Sequence, residues 1–485
     1  MIEDRDLISI QEVRKLVKRA KEAQDKFSTF SQEKIDKIVQ AVAKAASKEA
    51  ENLAKLAKEE TGFGKWQDKL VKNKLASEKV YEYIKDMKTL GILSEDKERK
   101  IVEIGTPVGV IAALIPSTNP TSTVIYKTLI SLKSGNAIIF SPHPSAVKCI
   151  LKTTEILNKA AVESGAPEGL ISCMSNPTLE GTNELMKHED VSLILATGGS
   201  AMVKAAYSSG TPALGVGPGN VPAYIERSAD IELAIKRIFA SKTFDNGTIC
   251  ASEQSIVTER VIEDKVKDEI KRQGGYFLEG EELEKVVKIM ERPNGSMNPQ
   301  IVGKSAEEIA KMAGIEIPEG TKVLLCEEKG VGREYPFSKE KLTTLLGFYV
   351  VKDSVEACEL CFKLLENGGL GHTLSIHSQD ENVIREFALK KPVSRILVNT
   401  SSSQGAVGIT TNLAPSLTLG CGTVGGSATS DNVTPMNLIN VRRLAYGVED
   451  SFENNTLECK KENLKDIDIE TITKLVMEQI QKINK

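Results

Sequence analysis

The chain's best candidate for covalent chemistry is a thiol at a turn. Cys250 lies in FDNGTICASEQ, Phe244–Gln254, where Asn-Gly and small residues can form a tight turn that presents a side chain. A cysteine acts as a nucleophile when it is accessible and substantially ionised, and a buried structural cysteine is neither. The other cysteines, Cys149, Cys173, Cys326, Cys358, Cys361, Cys421 and Cys459, are scattered along the chain. With no signal peptide in front of them, reduced thiols are expected rather than a disulfide framework. Cys358 and Cys361 form a C-x-x-C inside SVEACELCFKLLENGG, which reads as a helix ended by glycine with two small packing side chains. The chain has 4 histidines, none paired at i, i+4, so no metal site is indicated. ATGGSAMV, Ala196–Val203, runs from a strand into a helix. Its glycines let backbone approach a ligand and its helix start favours phosphate, although a plain helix-entry loop explains the same residues in isolation.

The elements that must position these groups change character along the chain. Residues 8 to about 90 read as consecutive amphipathic helices, with IDKIVQAVAKAASKEAENLAKLAKEE placing apolar residues three and four apart among Lys and Glu. GFGKW breaks that pattern before the helix LVKNKLASEKVYEYIKDM. From Arg99 the period changes: RKIVEIGTPVGVIAALIP is β-rich, with Gly-Thr-Pro expected as a turn between strands. Helices and short apolar strands then alternate, NAIIFSP, LISCMS and VSLILATGG being the strands. Continuous apolar strands in such an alternation predict a parallel sheet covered on both faces, with ligands at the carboxyl ends of its strands. A second α/β block begins near Val221 and contains Cys250, LLGFYVV and SRILVNT.

At 485 residues the chain has room for two or three domains. Its composition, 40% hydrophobic and 27% charged, is that of a soluble globular protein. A net charge of −4 gives nucleic-acid binding no support. No apolar run approaches the roughly 18 residues a membrane span needs. The charged start, MIEDRDLISIQEVRKLVKRAKEA, lacks an apolar signal core, so a cytoplasmic location is expected.

The run around Cys250, together with ALGVGPGN at Ala213–Asn220, resembles the aldehyde dehydrogenase superfamily and within it the CoA-acylating branch. Val216 stands thirty-four positions before Cys250, where the hydrolytic branch carries a water-activating glutamate in Glu-Leu-Gly-Gly. Without it, a thioester on Cys250 would wait for another nucleophile, which the resemblance implies is coenzyme A.

The resemblance covers about residues 8 to 447 and implies the aldehyde dehydrogenase fold, an α/β architecture. Its parts would be a doubly wound, Rossmann-like dinucleotide-binding domain over 1–98 and 109–220, an α/β catalytic domain over 221–434, and small oligomerisation strands over 99–108 and 435–447. Asn119 in IPSTNP, by itself a turn residue before proline, matches the family's oxyanion-hole asparagine, with the Cys250 N–H as second donor. Thr197, Gly198, Gly199 and Ser200 match an element near the pyrophosphate, and Gly217 is assigned to the cofactor as well. Ser141 and His143 of SPHP stand where many hydrolytic members have Lys-Pro at the adenosine ribose. NAD is therefore expected with NADP open, and His143 is either an adenine-nucleotide contact or a turn residue. Glu340 matches the glutamate that holds the nicotinamide ribose, with Glu334 as a competing alignment. His372 in GLGHTLS lies in a stretch similar to acylating members and carries no assigned role.

The activity implied is conversion of propionaldehyde or acetaldehyde, CoA and NAD to acyl-CoA and NADH. The alternatives are an acyl-phosphate-type reductase of the same fold and an inactive cargo or assembly protein. The CASEQ run also resembles the aldehyde dehydrogenase half of bifunctional aldehyde-alcohol dehydrogenases. A homodimer or homotetramer is expected. Beyond Gly447, residues 448–465 read as a polar linker. Residues 466–485 read as a helix with Ile469, Ile472, Val476, Ile480 and Ile483 on one face. It resembles the targeting peptides of bacterial microcompartments, and implies a shell or core partner and a location inside one.

Overall fold

The computed structural model describes residues 4–292, 296–448, 473–476 and 478–479. Two short strands come first, β1 (Gly91–Asp96) and β2 (Ile101–Pro107). Next are β3 (Val110–Ile115), β4 (Ala137–Pro142), β5 (Ile171–Cys173), β6 (Val191–Thr197) and β7 (Ala213–Val216), which form a parallel sheet in the order β5-β4-β3-β6-β7. The chain steps outward from β3 to β5, then crosses back beside β3 and steps the other way. The order therefore reverses between β3 and β6, where a crevice opens at the carboxyl ends.

A second parallel sheet comprises β8 (Val221–Ile225), β9 (Glu253–Glu259), β10 (Gly275–Phe277), β11 (Val323–Glu327), β12 (Leu345–Val351), β13 (Gly371–His377) and β14 (Val393–Val398). Its order is β10-β11-β12-β9-β8-β13-β14. A third sheet joins β1, β2 and β15 (Ile439–Ala445). Residues 94–103 and 443–448 group apart from the rest of the described chain, and within that group Arg443 pairs with Glu103 at 3.0 Å.

The continuous apolar runs are strands because both faces are covered: all six residues of β3 and of β4 are buried. Each fully buried aliphatic side chain there contributes about 1.5–3 kcal/mol. The amphipathic helix Gln32–Lys48 buries Ile35, Ile38, Val39, Val42 and Ala46, the stripe its spacing predicts. The helix Pro120–Lys133 is buried at every position, including Lys127, whose Nζ donates to Leu114 O at 2.9 Å and Leu195 O at 2.7 Å. Burial holds that amine well below its ordinary pKa. Lys127 thus acts as a buried double donor that ties β3 to β6 at the crevice.

Three local expectations change. Gly105-Thr106-Pro107 belongs to β2, and the break falls at Val108–Gly109, where Gly109 has φ 130°. β1 was not anticipated, because its charged, exposed sequence is that of an edge strand rather than an alternating one. Pro435–Leu438 is a single 3-10 turn, since proline cannot donate to a ladder, and the strand starts at Ile439. The linker and most of the tail, including Ile469, Ile472, Ile480 and Ile483, lie outside the described residues; Thr473–Val476, Glu478 and Gln479 are helical. Among the described residues no helix is long and apolar enough to cross a membrane.

Candidate active site

The carboxyl ends of the first sheet meet the amino ends of the second, and a cleft of about 400 Å³ lies between them. β3 runs out into Pro116–Asn119, β4 into His143, β6 into Gly198 and Gly199, and β7 into Gly217. From the second sheet come Cys250, just before β9, and Glu340, ahead of β12. Asn119, Ser141, His143, Thr197, Gly198, Gly199, Gly217, Cys250 and Glu340 are therefore brought to one cleft. Ser200 is not among the lining residues: it is the exposed first residue of the helix Ser200–Tyr207. Glu334 is also exposed and outside the lining, so Glu340 is the glutamate available here.

The loop before Cys250 is held in an unusual conformation. Asp245 and Asn246 have φ of 48° and 51°, a left-handed region that Asp and Asn tolerate better than most residues. Asp245 accepts from Lys65 N at 2.7 Å, Lys69 Nζ at 3.0 Å, Lys72 Nζ at 2.5 Å and Thr248 Oγ1 at 2.8 Å. Burial would raise its pKa, but the two lysines outweigh burial and hold the carboxyl below its ordinary value. Lys72 also donates to Asn119 Oδ1 at 2.6 Å, while Asn119 Nδ2 donates to Thr248 O at 3.1 Å and Thr118 Oγ1 at 3.2 Å. Asn119 precedes the helix Pro120–Lys133, whose first-turn proline is suited to a helix start.

Gly219 is the junction of the remaining groups. Its N–H donates to Glu340 Oε1 at 2.9 Å. A Cβ there would sit 2.1 Å from the Cys250 carbonyl oxygen and 3.1 Å from His372 Cγ, so only glycine fits. Burial lifts Glu340 to a pKa of about 7. The Cys250 thiol is pushed up to about 12, by burial first and then by Glu340 and Cys421, with Arg395 pulling the other way. The thiol therefore does not meet the requirement of ready ionisation by itself, because burial and Glu340 both disfavour the thiolate. His372 is fully buried and held neutral, its pKa lowered to about 3 by burial and Arg395. Its Nδ1 meets Thr373 Oγ1 at 2.9 Å and its Nε2 has no partner.

The opposite wall offers small residues and free polar atoms. Thr197 Oγ1 is buried without a hydrogen-bond partner. Cβ positions on Gly199 and Gly217 would meet nothing within 4 Å, and the helix Ser200–Tyr207 starts without a side-chain cap. His143 Nδ1 accepts from Ser145 N at 3.1 Å, which places the proton of the neutral ring on Nε2, free to donate. Ser141 Oγ meets Thr182 Oγ1 at 2.8 Å. An orphaned hydroxyl, uncovered glycines and free helix N–H groups fit a phosphate-bearing dinucleotide.

Val216 is buried at the end of β7 and lines the cleft. Glu340 is the one carboxylate among the described lining residues. The cleft can therefore hold a carbonyl against a thiol and amide donors, with no second carboxylate to activate water. Lys72, Asp245 and Gly219 were not singled out from sequence. Their signal is faint: two lysines three apart in KLVK, a left-handed-tolerant Asp-Asn pair, and one glycine among several.

The chain matches the family described as "Aldehyde dehydrogenase family" over residues 4–338. It is 47% identical over 446 residues to the bifunctional aldehyde-alcohol dehydrogenase of Escherichia coli (strain K12), covering 91% of this chain and 50% of that protein. The chain thus spans about half the length of such bifunctional relatives. The crystal structure of an acetylating aldehyde dehydrogenase from Geobacillus thermoglucosidasius is similar at TM-score 0.91 and 55% identity, covering 93% of this chain and 99% of that one. The propionaldehyde dehydrogenase of Rhodopseudomonas palustris, solved with bound propionyl-CoA, is similar at TM-score 0.82 and 29% identity, covering 90% and 94%.

Proposed function

The chain belongs to the aldehyde dehydrogenase family, and from that premise we propose that it is a CoA-acylating aldehyde dehydrogenase. It takes a short-chain aldehyde, propionaldehyde or acetaldehyde, with NAD and CoA to acyl-CoA and NADH. The observation that carries this reading is the pairing of Cys250 with Val216 in a cleft whose one carboxylate, among the described lining residues, is Glu340. A thiol has a carbonyl to attack, and water has no dedicated base.

In the mechanism, the Cys250 thiol gives up its proton to water, its sulfur adds to the aldehyde carbon and the carbonyl electrons move onto oxygen. Asn119 Nδ2 and the Cys250 N–H receive that oxyanion, Asn119 exchanging its bond to Thr118 Oγ1 for one to substrate. The dinucleotide, when bound, supplies the hydride acceptor, and its cationic ring favours the thiolate. Thr197, Gly198, Gly199 and Gly217 would hold its phosphates and Glu340 its ribose hydroxyls. Ser141 and His143 take the adenosine end, where no lysine selects between NAD and NADP. The acyl group left on Cys250 is a thioester, which the CoA thiol displaces by exchange. Covalent capture divides one hard oxidation into two steps and implies ping-pong kinetics.

The protein acts as a homodimer or homotetramer in this reading. Residues 466–485 dock it to a microcompartment shell or core partner, which would confine a volatile aldehyde. That last element rests on the apolar spacing of the tail.

The test is NADH formation from propionaldehyde and NAD with and without CoA, with Cys250→Ala as control. Sustained turnover only with CoA, abolished by the substitution, is expected. Equal turnover without CoA overturns the acylating reading. Val216→Glu should raise the yield of free acid, and an unchanged yield from a folded variant removes Val216 as the branch point.

A further inference from the structure

Asn119 is useful to an oxyanion only if its amide points the right way. The two ends of a carboxamide have nearly the same shape, so its environment must decide whether N–H or C=O faces the substrate. Here the decision is made by a charge. Lys72 Nζ stands 2.6 Å from Asn119 Oδ1, and an ammonium has three donors and no acceptor. Turning the amide over would press NH2 against NH3⁺. Thr248 O, which accepts from Asn119 Nδ2 at 3.1 Å, supports the same orientation, and Lys72 reaches that carbonyl as well at 3.4 Å.

Lys72 is in turn fixed from every side. It is 1% exposed, bonded to Asp245 Oδ2 at 2.5 Å, with the Phe244 ring centroid 5.6 Å away. Burial lowers its pKa to about 8 against the pull of Asp245, so it is an ammonium at neutral pH. The same Asp245 sits at the left-handed start of the loop that delivers Cys250. One ion pair therefore joins the helix Trp66–Lys74, the Asn119 turn and the thiol loop. A cation on Oδ1 also draws electron density from the amide and makes its N–H a stronger donor, as in other hydrogen-bond chains at low dielectric.

We propose that Lys72, held by Asp245, is a positioning residue that orients and polarises the Asn119 amide as an oxyanion donor. This rests on the reading of Cys250 and Asn119 given above. Lys69 supplies the control. It bonds the same carboxylate oxygen at 3.0 Å, and Thr118 O at 3.0 Å, without touching the Asn119 side chain.

The experiment compares Lys72→Met and Lys69→Met, each alone and combined with Asn119→Ala, in the full chain. Two rates are read: CoA-dependent NADH formation, and alkylation of Cys250 by iodoacetamide, which needs the thiol but develops no oxyanion. Lys72→Met is expected to lower kcat by roughly 10- to 100-fold, the scale of a lost oxyanion donor or less. The KM for NAD and the alkylation rate should stay within about twofold. Lys69→Met should cost kcat less than Lys72→Met, and in the Asn119→Ala background Lys72→Met should add almost nothing.

Full additivity of the two substitutions, a parallel fall in alkylation, or an equal effect of Lys69→Met overturns the proposal. If Asn119→Ala leaves kcat unchanged, the oxyanion assignment fails and takes Lys72 with it. If the wild type shows no CoA-dependent turnover, the functional reading itself has failed. In Lys72→Met the carboxylate keeps Lys69. Should that variant not fold, Lys72→Met with Lys69→Met and Asp245→Asn removes the carboxylate together with both of its cations and is read in the same way.

Discussion

Along the wall formed by the ends of β4, β6 and β7 glycines border open space, whereas beside Cys250 Asp245, Asn119 and Gly219 are closely held. Thr197 Oγ1 has no hydrogen bond, and Gly199 and Gly217 border open space. Opposite them, Asp245 takes four donors, Asn119 three partners, and Gly219 has no room for a methyl group. The left-handed Asp245 and Asn246 cost about 1–3 kcal/mol each. Charge-assisted hydrogen bonds of about 1.5–3 kcal/mol each offset that strain. The difference matches two tasks: one wall exchanges a ligand, and the other must hold reacting atoms still. A change on the fixed wall should therefore cost catalysis more than a change on the open one.

The sharpest way to break that contrast is Gly219→Ala. A Cβ 2.1 Å from the Cys250 carbonyl forces the peptide beside the thiol to move, and misplacement by about 1 Å can cost on the order of 100-fold in rate. We expect kcat/KM for the aldehyde to fall by that order while dinucleotide binding, followed by fluorescence titration, changes little. A variant with near wild-type turnover means the fixed wall is more tolerant than its packing implies.

Much of this contrast was legible in advance on one side and little on the other. The two parallel sheets followed from uninterrupted apolar strands such as VIAALI and LLGFYVV, and the cleft from where such strands end. Cys250, Asn119 and Thr197 stand in runs distinctive enough to be found by eye. Lys72 was not, because LVKNK on an amphipathic helix looks like a solvated face, and its partner lies 173 positions away. The raised pKa of Cys250 was not legible for a related reason. It depends on burial and on Glu340, neither of which is encoded near the cysteine. β1 escaped because edge strands carry charges that mask their period.

The raised pKa leads to a measurement of intermediate size. With the thiol at about 12, its alkylation by iodoacetamide should still be rising at pH 10, about tenfold per pH unit. Between pH 6 and 8 the slope should be shallower, because Glu340, at about 7, ionises there and opposes the thiolate as pH increases. Glu340→Gln keeps an acceptor for the Gly219 N–H and removes the charge. At pH 8 the variant should therefore react about three- to tenfold faster than wild type, and the two should converge below pH 6, where Glu340 is neutral. A variant that reacts more slowly at pH 8 would mean that Glu340 withdraws the thiol proton instead of opposing its loss.

The smallest effect belongs to the open wall. Thr197→Val preserves shape and removes the hydroxyl that lacks a partner. In the free protein the substitution should be neutral or slightly stabilising by thermal unfolding, since no hydrogen bond is lost and an unsatisfied buried oxygen disappears. With dinucleotide present the sign reverses if that hydroxyl serves the ligand. The KM for NAD should then rise about three- to tenfold, as for one lost hydrogen bond of about 0.5–1.5 kcal/mol, with kcat unchanged. If kcat falls while KM holds, Thr197 acts at the reacting centre, and the division between an exchanging wall and a fixed one has been drawn in the wrong place.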